Sequence, residues 1–293
     1  MNHFEIKANT QVLEAISKLP TADQHELYTT AGAVTGFKGI RVLDYNGQIL
    51  EFVNCPRTSY QIVQHAQAFQ PVIEGLWEAG LKDNYEAVFE TTTKYAKMNI
   101  LVGGEGYDSV KLGFSVTNSY DGSGAINYGF RMDRNRKYVE LVGYRQICSN
   151  GMKIRVPLNN AEIIRPELKT KIETLFSQIT RIRHTKGAVS RLEEIKSSVE
   201  AVTLMKEPVE LMIKNLQTIQ VNDQQLELLI KKFVGKRFKL KVINAFNEGN
   251  DHSTWGFYNA MTWVASHDET IKPTARQTLL DKAEGVLYAY NTA

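Results

Sequence analysis

Between positions 110 and 132 the chain reads VKLGFSVTNSYDGSGAINYGFRM, and this stretch constrains the fold more than any other. Val110, Leu112, Phe114 and Val116 alternate with Lys111, Gly113, Ser115 and Thr117. Beyond Asp121-Gly122-Ser123-Gly124, Ile126, Tyr128, Phe130 and Met132 alternate with Asn127, Gly129 and Arg131. A period of two on both sides of a glycine-rich turn predicts a half-buried β-hairpin. One face is apolar, and the other is small and polar and carries Lys111 and Arg131. A third strand is expected over 137–148 and an earlier one around 88–102, which makes an antiparallel sheet with one packed and one open face. A further hairpin is signalled by Asn46-Gly47 between the apolar runs of FKGIRVLDYNGQILEFV.

Past Pro157 the period changes. Leu168, Ile172, Leu175, Ile179 and Ile182 step by four and three, which predicts an amphipathic helix. Its tail carries Arg181, Arg183, His184 and Lys186, where positive charge suits a helix C-terminus. Further helices are expected over 189–204, from Pro208 onward, and over 223–234, the last bracketed by Asn222, Gln225 and Gly235. Earlier helices are expected from Thr10 to Leu19 and from Ser59 through Trp77, with Pro71 as a candidate kink. The fold class is therefore α+β, an antiparallel β-meander packed by helices and followed by a mostly helical C-terminal half. Residues 1–58 read as a mixed N-terminal segment and 59–190 as an α+β core. Residues 191–293 read as a helical region packed on that core as one unit.

Charge is distributed unevenly along this frame. Residues 131–191 carry 14 Lys and Arg against 5 Asp and Glu, a local charge of +9, and 231–241 carry six cations and no acid. The remainder is acidic, so the whole chain comes to only +3. Clustered cations suit a polyanion, because each neutralised phosphate releases condensed counterions; a pair of solvated basic faces gives the same count. Within 128–155 the cations are interleaved with Tyr128, Phe130, Tyr138 and Tyr144, the combination by which many modules hold single strands. The candidate nucleic-acid contacts are Lys111, Arg131, Arg134, Arg136, Lys137, Arg145, Lys153 and Arg155 for phosphates. Tyr138 and Tyr144 are the candidates for stacking, and Arg181, Arg183 and Lys186 extend the track.

Other chemistries find less purchase. Gly103-Gly104-Glu105-Gly106 lacks the Lys-Ser/Thr of a phosphate loop. The six histidines show no HExxH spacing, although Asp251-His252 and His267-Asp268 flank one predicted helix. Cys55 and Cys148 form neither a CxxC pair nor a disulfide framework. Cys148 with His184 is a conceivable nucleophile and base, but a cysteine ending a strand more often packs. In STWGFYNAMTWVASHD, Phe257, Met261 and Val264 oppose a face with Trp255, Asn259, Thr262 and Ser266, the pattern of a buried helix. No run is apolar enough to span a bilayer and no signal peptide is evident, so a cytosolic protein is expected.

Four short patterns occur in a fixed order: NSYDGSGA at 118–125, Arg145-x-x-Cys148-Ser149-Asn150-Gly151-Met152, Arg183-His184-Thr185, and Trp255-Gly256-x-Tyr258-Asn259-Ala260-x-Thr262, followed by His267. From about 60 to 267 the chain resembles the phage/plasmid-like family known as domain of unknown function 932. The resemblance implies a setting in mobile elements and no recognised cofactor. In topology and setting the chain is also similar to single-strand annealing proteins of phage recombination, which form rings that hold one strand in a basic groove. No annealing-protein motif is present.

The reading that follows is a non-enzymatic protein that binds nucleic acid, single-stranded DNA in particular, during recombination or replication. It is expected to work as a homo-oligomer, without cofactor, metal or membrane. Two alternatives stand beside it. One is an enzyme acting on nucleic acid through Cys148, His184, Asp121 or the Asp251–His267 neighbourhood. The other is a non-catalytic protein whose basic segments meet a host partner.

Overall fold

The period-two segments become antiparallel strands and the later segments become helices. A computed structural model describes residues 2–6, 9–55, 59–82, 84–102, 110–122, 124–145, 152–176 and 181–291. The chain opens with β1 (Asn2–Ile6), α1 (Asn9–Ser17), β2 (Thr21–Tyr28), β3 (Val34–Leu43), β4 (Ile49–Cys55) and α2 (His65–Glu78). Next come β5 (Tyr85–Thr91), β6 (Tyr95–Val102), β7 (Val110–Ser119), β8 (Ile126–Tyr128), β9 (Arg131–Met132), β10 (Tyr138–Arg145) and β11 (Met152–Pro157). The C-terminal half holds α3 (Pro166–Leu175), β12 (Arg181–Ile182), α4 (Ala188–Leu192), α5 (Glu194–Thr203) and α6 (Lys206–Thr218). It ends with α7 (Asp223–Leu229), α8 (Lys239–Glu248), α9 (Thr254–His267) and α10 (Pro273–Ala289). The fold is α+β. No helix among the described residues is long and apolar enough to cross a membrane.

The residues divide between two interleaved compact units, the first made of 1–106, 111–131 and 174–203. Its main sheet runs β1-β5-β6-β7-β8-β12, all antiparallel. Phe89, Met98, Ile100, Phe114 and Val116 are fully buried on it. Helix α2 contributes Phe69, Val72, Ile73 and Leu76, and the Tyr128 hydroxyl donates to the Ala68 carbonyl. Gly113 is required by its position, since a Cβ there would lie 2.0 Å from the Ile100 carbonyl oxygen. A second sheet, β2-β3-β4, encloses Ile40, Val42 and Val53 with Tyr60 and Tyr120. Its β3–β4 turn follows the Asn-Gly signal: Asp44 Oδ1 accepts from the Asn46 and Gln48 amides, and Gly47 takes φ of 80°.

The second unit comprises 107–110, 132–173 and 204–293. Strands β10 and β11 pair in register Glu140↔Arg155 and Leu141↔Ile154, and Val139, Leu141, Ile154 and Val156 are buried. Helix α9 is buried on all but a narrow side, with Trp255, Phe257, Tyr258, Met261 and Val264 at 1% exposure or less. Trp255 and Tyr258 stack at 5.0 Å. Asn222 caps α7, with Gln225 closing the capping box, and the helix runs on as a π-helical turn, Ile230–Val234, to Gly235 at φ of 77°.

Four elements differ from the sequence expectation. The helix expected from Leu168 to Ile182 stops at Leu175, and Ile182 lies in β12 opposite Ile126. The apolar steps of four and three also fit a short helix followed by an alternating edge strand. Phe176, between them, is buried edge-on against Phe130. The single strand expected over 88–102 is two, β5 and β6, turning at Thr92–Lys94. The second hairpin arm breaks after Tyr128, because β9 leaves β8 and pairs with β10. Helix α2 begins at His65 rather than Ser59. Gln64 spends its side-chain amide on both backbone groups of Ala22 in β2, and Tyr60 and Val63 are buried before the helix starts.

Candidate nucleic-acid interface

Strand β12 and its continuation alternate in burial. Ile182 and His184 point inward, whereas Arg181, Arg183, Thr185 and Lys186 are exposed. Ile182 is held by the β8 pairing, which sets Arg181 beside exposed Asn127. His184 is 4% exposed; its carbonyl accepts from the Gln61 amide at 3.1 Å, and its ring stacks on Tyr60 at 4.9 Å. Two buried anchors thus turn the neighbouring cations outward. Among the described residues, Arg181, Arg183 and Lys186 have no carboxylate partner.

The anchor belongs to a wider buried network. The Tyr60 hydroxyl donates to the Ser119 carbonyl. Asn118 Nδ2 donates to the Val63 carbonyl at 2.9 Å and to His65 Nδ1 at 3.1 Å. Tyr120 lies over the His65 ring at 4.0 Å, accepts from the His65 amide and donates to the Pro20 carbonyl. Two of the ordered patterns, NSYDGSGA and Arg183-His184-Thr185, therefore meet around His65. Burial pushes His65 down to about 3, with the nearby His184 adding to the shift. Burial also lowers His184, partly offset by the Gln61 backbone and by Asp121. Because His65 Nδ1 accepts, its proton sits on Nε2, which has no hydrogen-bond partner among the described residues, nor have the two His184 nitrogens. Both rings are held neutral and act as packing anchors.

In the second unit the β9–β10 turn exposes Arg134, Arg136 and Lys137. Asp133 organises it: its side chain accepts from the Asn135 amide and its carbonyl from the Arg136 amide. Arg136 takes the left-handed φ of 55° and lies 3.6 Å from Glu173. Arg134 and Lys137 have no carboxylate partner among the described residues.

Other candidates are already engaged. Arg155 bridges Glu140 at 3.1 Å and Glu284 of α10 at 2.8 Å, both carboxylates largely buried. Its guanidinium also covers the Tyr138 ring at 5.0 Å, and Tyr288 meets that ring edge-on, so Tyr138 is a packing residue rather than an open platform. Lys111 pairs with Glu86 at 3.1 Å. The side chains of Arg131, Tyr144, Arg145 and Lys153, and the whole of Cys148, lie outside the described residues.

Two features were not among the sequence candidates. Lys231, Lys232, Lys236, Arg237 and Lys239 are all exposed, and the local charge of 231–241 was their signal. A cleft of about 420 Å³ lies between the end of α8 and one side of α9, lined by Glu248, Asp251, Gly256, Asn259 and Trp263 among others. Trp263 is 53% exposed, although its neighbours on α9 form core. The Trp-Gly pattern has a steric cause, since a Cβ at Gly256 would lie 1.8 Å from the Asp251 carbonyl oxygen. Asp251-His252 and His267-Asp268 stand at opposite ends of α9, separated by its length of roughly 20 Å. Among the described residues no group of three or more His, Cys, Asp or Glu could hold a metal ion.

Residues 169–285 match the family described as a domain of unknown function (DUF932). Of the ordered patterns, Arg183-His184-Thr185 and the Trp255–Thr262 segment with His267 fall inside the matched stretch. Those at 118–125 and 145–152 precede it. No curated protein and no solved structure matches the chain.

Proposed function

We propose that this chain binds nucleic acid, single-stranded DNA in preference to duplex, in the recombination or replication of a mobile element. The observation that carries the reading is the edge formed by β12 and its continuation. Buried Ile182 and His184 fix the backbone, and Arg181, Arg183 and Lys186 project from it without a carboxylate partner among the described residues. Residues two apart on an extended edge lie about 6.7 Å apart. That is comparable to the distance between successive phosphates along a strand. Cations held on a rigid edge lose less side-chain freedom on binding than cations on a mobile loop. Arg134, Arg136 and Lys137 offer a second exposed cluster on the other unit. Lys111 and Arg155 drop out of the phosphate set because both are neutralised internally. The mobile-element setting rests on the resemblance to the phage/plasmid-like family. The preference for single strands rests on the aromatics interleaved with cations in 128–155 and on the likeness to annealing proteins of phage recombination.

The test is binding of labelled single- and double-stranded oligonucleotides of one sequence at low salt, by anisotropy. Tighter binding of the single strand, weakened by Arg181→Gln with Arg183→Gln, is the expected result. No binding of either oligonucleotide at low salt overturns the proposal.

A further inference from the structure

The 10-residue helix α8 carries opposite charge at its two ends. Around its start, Lys231, Lys232, Lys236, Arg237 and Lys239 are exposed, and Leu228 and Leu240 stand out at 62% and 73% exposure. Lys241 differs, being bound to Asp268 and Thr270. At the other end, about 15 Å away, Glu248 is exposed and Asp251 half-buried at the rim of the cleft that holds Trp263.

Three features of that cleft favour a cation. The carboxylates supply negative charge, the C-terminus of α8 adds the partial negative charge of its unpaired carbonyls, and the face of an exposed indole attracts ammonium and guanidinium groups. Trp263 is braced by His267, whose ring stacks on it at 5.3 Å and 16°. Asp251 is held by accepting from the Ser253 amide. The cleft is thus preformed, and its volume of about 420 Å³ admits a long side chain with room beside it.

We infer that the cleft receives the basic segment 236–240 of a second copy of this chain, with Arg237 against Trp263 and Glu248. The occupant is argued from charge: among the described residues the five exposed cations at one end of α8 have no carboxylate partner, and the acidic cleft lies at the other end of the same helix. Arg237 is the best suited of them, because a planar guanidinium can stack on an indole and bond a carboxylate at once. Leu240 supplies apolar contact next to it. Donor and acceptor surfaces differ, so the contact is head-to-tail, and such contacts repeat into a closed ring or an open filament. The inference uses only the second unit and does not rest on nucleic-acid binding.

Charge reversal tests it on the full chain without nucleic acid, with mass read by light scattering after size exclusion at low salt. Wild type assembles beyond the monomer and dissociates as salt rises. Arg237→Glu and Glu248→Lys each weaken association by roughly tenfold or more. An equimolar mixture of the two variants associates again, because the intact Arg237 of one enters the intact cleft of the other and the two reversed positions face each other with opposite charge. The double variant, with both charges exchanged, assembles again. Both positions are exposed, and unchanged thermal unfolding of each variant shows that it folds. Glu248→Gln, which adds no new charge, shifts mass in the same direction as Glu248→Lys. A wild type that stays monomeric, reversals that leave the mass unchanged, or a mixture that stays monomeric would each overturn the inference.

Discussion

Arg155→Met is the most informative single change in the second unit, because it separates a structural cation from a binding one. The guanidinium sits between Glu140 and Glu284, whose side chains are 12% and 6% exposed, and Met keeps most of the stem while deleting the charge. Two buried carboxylates then lose their shared counter-ion. Breaking a buried pair in this way costs about 3–5 kcal/mol, and the one-third exposure of Arg155 moves the expectation to the lower end. For a unit of this size about 3 kcal/mol lowers Tm by roughly 6–12 °C. Urea and thermal unfolding at pH 7 measure it. Adding Glu140→Gln and Glu284→Gln to the same variant removes the two carboxylate charges that Arg155 bridges and recovers part of the loss. A decrease under about 1 kcal/mol, or no recovery in the triple variant, would refute the bridging role. Any fall in oligonucleotide affinity in Arg155→Met should then track unfolding rather than a lost phosphate contact.

Other perturbations have equally direct readouts. The lowered pKa of His65 means the unfolded chain takes up a proton that the folded one refuses. Its contribution is complete above about pH 6.5 and is lost as pH falls toward 3. Between pH 7 and pH 5 this amounts to about 2 kcal/mol, and His65→Gln should flatten that part of the stability–pH curve; an unchanged slope would count against the buried neutral ring. Gly256→Ala forces a methyl onto the Asp251 carbonyl and should cost about 1–3 kcal/mol in urea unfolding. A neutral result would show that α9 and the Asp251 loop can move apart. Arg181→Gln with Arg183→Gln should leave stability within about 0.5 kcal/mol of wild type, since both side chains are exposed and unpaired among the described residues.

The hairpin strands, the Asn-Gly turn and the capped α7 could be read from sequence because local chemistry decides them: alternation, a left-handed glycine, a capping box. Misreadings arose where long-range contacts decide. Ile182 continues a helical spacing, yet its pairing with Ile126 makes it a strand residue. Gln64 delays α2 because its amide serves β2, 42 residues away. Charge runs marked where cations are, but not which were spoken for. Arg155 and Lys111 meet acids from other elements, whereas Arg181, Arg183 and Lys186 are turned outward by anchors that only the fold supplies. Trp263 was hidden for a related reason, since its helix reads as core on every side.

The central claim concerns the edge at 181–186, and the salt dependence of binding tests it most directly. On single strands each phosphate contact contributes about 0.7 to the slope of log K against log salt. Arg181→Gln with Arg183→Gln should therefore reduce the slope by about 1.4 while unfolding stays as in wild type. Identical slopes for the variant and wild type would contradict the account.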